Sequence, residues 1–150
     1  MVAAYRTQVR KALWAVWLVA GLVLSGCGRQ DPQSALEEAA QRLQEAVAAR
    51  QTGKAMELLH ADFQGGNGMD RQQARQLMAG TFLRYQKIGL LVMGRECRLD
   101  QGFYDRGHCS ARVGVTGAQG LVPERAELYR VDTLWQLEGR DWQLLEIRWE

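Results

Sequence analysis

The chain has 150 residues, 47% hydrophobic and 24% charged, with a formal net charge of +2. Three of its 19 cations, Arg6, Arg10 and Lys11, fall in the first eleven residues, so residues 27–150 carry 16 cations against 17 acids. That balance argues against a nucleic-acid partner, which needs a clustered basic face, and the length fits one domain with one core.

Behind the three cations, residues 12–26 are apolar and end in small residues, the order of a secretory signal peptide. A retained span would need about 20 apolar residues, and this run stops at 15. The segment Leu24-Ser25-Gly26-Cys27 resembles the bacterial lipobox. The resemblance implies a diacylglyceryl group on the Cys27 sulfur, cleavage before Cys27 and acylation of the new amine. Each buried methylene contributes about 0.8 kcal/mol, so two or three chains together anchor stably. Gly28 is not the aspartate that retains enteric lipoproteins at the inner membrane, which favours the outer membrane, facing the periplasm. The expected organisation is a signal peptide over 1–26, a lipidated Cys with a short tether over 27–31, and one domain over 32–150. Such a tether reaches at most about 15 to 18 Å, which holds the domain close to the membrane.

Asp31-Pro32 suits an N-cap and first helical position, with Ser34 and Glu37 as a competing capping box. The helix predicted over 32–50 repeats Leu36, Ala39, Ala40, Leu43, Ala46 and Val47 at helical spacing. Thr52 can cap a second helix carrying Met56, Leu58 and Leu59, which ends at His60-Ala61-Asp62-Phe63 before the flexible Gly65-Gly66-Asn67-Gly68. Asp70 caps a third helix, 70–86, with Ala74, Leu77, Met78, Phe82 and Tyr85 on one stripe.

From Ile88 onward the pattern is β-rich. A hairpin symmetric about Phe103 sets Cys97 opposite Cys109, with Cβ atoms about 4.5 to 5.5 Å apart, so a disulfide is expected in an oxidising compartment. The same register puts Met93 opposite Val113 and Leu91 opposite Val115. A second hairpin turns at Glu138-Gly139-Arg140-Asp141, a two-residue Gly-first loop suited to a type II′ turn. Leu137 then faces Trp142, Trp135 faces Leu144, and Leu134 faces Leu145 on the other side. With both faces partly apolar, the sheet must cover helices on one side and either curl round a cavity or meet a partner on the other.

Three helices followed by two hairpins, closing on Leu134-Trp135-Gln136-Leu137-Glu138-Gly139-Arg140-Asp141-Trp142-Gln143-Leu144-Leu145, resemble the nuclear transport factor 2-like fold, also called SnoaL-like or cystatin-like. The resemblance implies an α+β cone: helices packed on a curved antiparallel sheet of about four strands, with a pocket in its mouth. It hosts isomerases, dehydratases, cyclases and binding modules, so fold alone does not choose a function. Its catalytic members use Tyr, Asp or His pointing into the cone, often with donors from the first helix. Here Gln33 to Arg50 contain none of these three.

His60 with Asp62 offers an acid/base pair at the mouth; the plainer reading is a His in the last turn of a helix and an Asp fixing the next turn. Glu146 and Arg148, two apart, are expected on one face with Trp142 and Leu144, where a carboxylate beside tryptophans can serve as a base; a surface ion pair is the plainer reading. Asp132 with Arg130 invites the same argument. Tyr85, Trp135, Trp142 and Leu144 are candidates to line the pocket, although the Trp135, Trp142 and Trp149 stripe reads first as core. His108 and Cys109 are adjacent on a strand and point to opposite faces, so with Cys97 they make no zinc site. The exposed aromatics Phe103 and Tyr104 at the first hairpin tip can contact a partner or lipid headgroups. No Walker loop, His-Glu-x-x-His, Gly-x-Ser-x-Gly or Cys-x-x-Cys motif occurs, and neither cofactor nor metal is implied. The expectation is a lipid-anchored envelope protein whose non-catalytic cone binds a protein or a small apolar ligand. The alternatives are a small isomerase- or dehydratase-like enzyme and a homodimer joined through the open sheet face.

Overall fold

The computed structural model describes residues 31–118 and 125–150. The expected signal peptide, the lipidated Cys27 and the tether as far as Gln30 lie outside the described residues.

Helix α1 runs from Pro32 to Ala48, with the Asp31 carboxylate accepting from the Ser34 N–H at 3.1 Å. It stops two residues earlier than the periodicity suggests because Arg50 adopts a left-handed φ of 55°. The Gln51 N–H then reaches the Ala46 carbonyl and the Arg50 N–H that of Val47, the paired bonds of a Schellman ending. The Arg50 guanidinium in turn donates to the Phe82 and Tyr85 carbonyls, which ties the end of α1 to the end of α3, Arg71–Arg84. Between them α2, Thr52–Glu57, is one short stretch whose N-cap position is Gln51 rather than Thr52. Asp70 caps α3 through a reciprocal capping box with Gln73.

The segment read as the end of the second helix is strand β1, Leu59–Gly65. Leu59 and Gln64 pair in parallel with Leu144 and Glu146 of the last strand. His60, Ala61 and Asp62 have weak strand propensity; the partner strand imposes the extended form. A tight turn over Gly66–Gly68, with Asn67 and Gly68 at φ 60° and 74°, returns the chain as the two-residue strand β2, Met69–Asp70. Strands β3 (Lys87–Leu99), β4 (Arg106–Ala118), β5 (Arg125–Glu138) and β6 (Asp141–Trp149) complete one sheet in the order β2-β1-β6-β5-β4-β3. Among the described residues the sheet therefore has six strands where about four were expected.

Cys97 and Cys109 sit opposite each other and are bonded, with Cα atoms 4.1 Å apart. The register beyond them differs from the expected one. Gly94, at φ 60°, and Arg95 together oppose one residue of β4, a bulge of the kind that needs a left-handed glycine. Met93 consequently pairs with Arg112 and Leu91 with Gly114, while Leu90 and Val92 meet Val115 and Val113 on the inner face. The second hairpin keeps its expected turn, with Gly139 at φ 64°, and its pairs Leu137/Trp142 and Trp135/Leu144. Leu145 is then skipped, so Leu134 meets Glu146 instead. That bulge turns Ile147 and Trp149 inward, and it sends Glu146 and Arg148 to the outer face, away from Trp142 and Leu144.

The core lies between the inner face and the helices. Leu36 and Ala39 of α1, Met56, Leu59, Phe63, Trp135, Trp142 and Leu144 are all buried in one cluster, with Cys109 at its edge. Trp135 is 1% exposed, and its indole N–H is satisfied by the Thr133 hydroxyl at 2.9 Å, which donates to the Cys109 carbonyl at 2.9 Å. Burying a side chain of this size contributes a few kcal/mol only if its polar atom finds a partner.

Candidate functional site

Toward the other end of the inner face, α1 and α3 stand off the sheet and leave a hollow. Its larger part, about 640 Å³, is lined by Val47, Met78, Phe82, Tyr85, Leu90, Val113, Val131 and Trp149, among others. An inner recess of about 180 Å³ shares Val47, Leu90, Val113 and Val131 with it and continues toward Leu43, Trp135 and Ile147. Alternation along β3, β4 and β5 builds this lining: every second residue faces inward, giving Ile88, Leu90 and Val92 from β3, Val113 and Val115 from β4, and Val131 from β5. The two bulges decide the outcome: without them Leu91 and Met93, or Glu146 and Arg148, would face inward.

Polar groups are the minority of the lining. Thr81, Tyr85, Thr116, Glu127 and Tyr129 line the larger part, and the Tyr129 hydroxyl donates to the Glu127 carboxylate. Gln44, Arg95, Ser110 and Thr133 line the recess. Tyr85 packs flat over Gly117, where a Cβ would fall 2.9 Å from the ring; this glycine gives the ring its place.

Of the expected lining residues, Tyr85 faces the hollow and Trp135 closes the floor of the recess, whereas Trp142 and Leu144 belong to the core cluster. None of His60, Asp62, Asp132 and Glu146 lines the hollow. The His60 ring accepts the Asp62 backbone N–H at Nδ1, 3.0 Å away, which leaves Nε2–H to donate to Glu138 at 3.2 Å. The Asp62 carboxylate is almost fully exposed and 3.9 Å from the ring, so its backbone and not its side chain orients the imidazole. Asp132 stands opposite Arg148 in the strand register on the outer face, and Glu146 forms an ion pair there with Arg148 at 2.6 Å. His108 lies 3.2 Å from Asp100. No metal-binding group of His, Cys, Asp and Glu occurs among the described residues.

Glu127, Tyr129 and Arg95 were not singled out from the sequence. Glu127, Tyr129 and Val131 alternate on β5 and share the inner face, a pattern visible only once the strand's inner parity is known. A separate depression of about 520 Å³ between α1, α2 and the start of β6 is lined by Arg42, Glu45, Lys54, Glu57 and Asp141. Its charges are mixed, two cations against three acids, and it offers no apolar floor comparable with the hollow. On the outer face Leu91 and Leu128 are exposed beside Met93, where the expected dimer contact would sit.

No family model and no curated protein matches the sequence. Solved structures do match. A Bdellovibrio bacteriovorus protein, Bd1075, superposes with a TM-score of 0.67 at 9% identity over 77% of this chain, which spans only 40% of that protein. A nuclear transport factor 2-like protein from Pseudomonas putida gives 0.66 at 10% identity over 79% of this chain and 84% of that one. A scytalone dehydratase-like protein from Novosphingobium aromaticivorans gives 0.69 at 8% identity over 78% and 81%. Identities this low carry no residue roles from one protein to the other. What they establish, together with the helices on a curved six-stranded sheet, is that the chain has the nuclear transport factor 2-like, or cystatin-like, fold.

Proposed function

We propose that this is a lipid-anchored protein of the bacterial envelope whose hollow binds a small, largely apolar molecule without transforming it. The observation that carries the reading is the hollow itself: branched aliphatic and aromatic side chains surround an open space of ligand size, with polar groups in the minority. An apolar lining open to water is costly unless something covers it. The anchor is supported by the sequence Leu24-Ser25-Gly26-Cys27 and outer-membrane residence by Gly28. The non-catalytic part is supported by the position of His60, Asp62, Asp132 and Glu146 away from the hollow.

One observation favours the enzymatic reading: a phenol held by a carboxylate, Tyr129 on Glu127, lines the hollow, and both are residue types that serve as proton donors or acceptors. Titration with an apolar fluorescent probe such as N-phenyl-1-naphthylamine tests the binding reading. Saturable enhancement is expected, and Val131→Trp, which fills the junction of the two parts, should abolish it while leaving the fold intact. Probe binding that Val131→Trp leaves unchanged would place the apolar site elsewhere.

A further inference from the structure

The recess contains a cation that no carboxylate among the described residues neutralises. Arg95 stands directly after Gly94, and the bulge sets it on the inner face, one residue out of step with Leu90 and Val92. Its guanidinium donates to the Gln41 side-chain carbonyl at 2.9 Å and to that of Gln44. Both partners are neutral, and among the described residues no carboxylate pairs with Arg95. A guanidinium has five N–H donors, so three remain available, and a partly buried cation without a counter-ion is unfavourable. Arg95 is also the single charged side chain lining the recess among the described residues. The recess opens past Val47, Leu90, Val113 and Val131 into the larger apolar part.

We infer that the hollow takes an amphipathic monocarboxylate, a long-chain fatty acid, with its carboxylate on Arg95 and its chain running between α1 and the sheet toward Tyr85 and Trp149. This deepens the binding reading above and rests on it. A planar guanidinium matches a carboxylate through two parallel hydrogen bonds, the geometry for which arginine is preferred over lysine. Gln41 and Gln44 hold the guanidinium plane from the α1 side. From the level of Ala111, opposite the bulge, to Gly117 beneath Tyr85, β4 covers six residues, roughly 20 Å at the rise of an antiparallel strand. That is room for an extended long acyl chain.

The test compares palmitate with hexadecanol, which has the same tail and no charge, on the full chain in lipid nanodiscs with empty nanodiscs subtracted. Charge-assisted hydrogen bonds contribute enough for palmitate to bind about tenfold more tightly or better. Arg95→Gln should erase that preference and leave hexadecanol binding as it was, and Arg95→Lys should retain part of it. Equal affinity of the wild-type chain for both ligands would overturn the role of Arg95 while leaving the hollow as a binding site. Loss of both ligands alike in Arg95→Gln would also overturn it, reducing Arg95 to a clamp between α1 and β3. Failure of the wild-type chain to bind either ligand would overturn the inference and the binding reading together.

Discussion

A few residues fix where the hollow lies. Trp135 and Leu36 fill the closed end completely, whereas Val47, Val113 and Val131 are too short to meet across the open end. The Cys97–Cys109 bond pins β3 to β4 directly behind the recess. Its closed loop is short, and the chain-entropy estimate for such a loop is about 3 kcal/mol. The pair Cys97→Ala/Cys109→Ala should therefore lose about that much unfolding free energy in urea, and reductant should lower the midpoint of the wild type but not of the variant. A wild-type midpoint indifferent to reductant would mean that the bond does not stabilise the sheet.

At the scale of elements, the two bulges determine which side chains the hollow sees. Gly94 is at φ 60°, and a Cβ there would meet nothing within 4 Å. Gly94→Ala should then cost only the left-handed conformation, about 1 to 2 kcal/mol, read as a lowered unfolding free energy; an unchanged value would argue against the bulge. The bulges also explain what could be read in the sequence. The caps at Asp31 and Asp70, the Gly139 turn and the cysteine pairing have local signatures, and the structure holds all of them. Strand parity beyond a bulge has none, because one skipped residue exchanges inner and outer faces for the rest of the strand. Leu91 and Met93 were thus expected opposite Val115 and Val113, and Glu146 was expected on one face with Trp142. Strand β1 was hidden for a different reason: its pairing with β6 joins residues more than 80 apart in the chain, so nothing local to His60-Ala61-Asp62 announces it.

For the whole molecule, the short tether and the hollow belong to one proposal: a binding domain held close to the membrane. Cys27→Ala should move the protein from the membrane fraction to the soluble fraction and abolish its metabolic labelling by an alkynyl fatty acid, while the domain itself stays folded; persistent labelling would place the lipid elsewhere, and membrane attachment without labelling would show that no lipid is needed. The most direct test of the central claim is native mass spectrometry of the full chain extracted from bacterial envelopes, beside its Val113→Trp variant, which narrows the hollow from β4. The account predicts that the wild-type chain carries a bound small molecule that organic extraction releases, and that the variant, equally folded, carries none. A wild-type chain that is bare, or a variant that retains the same molecule, would contradict it.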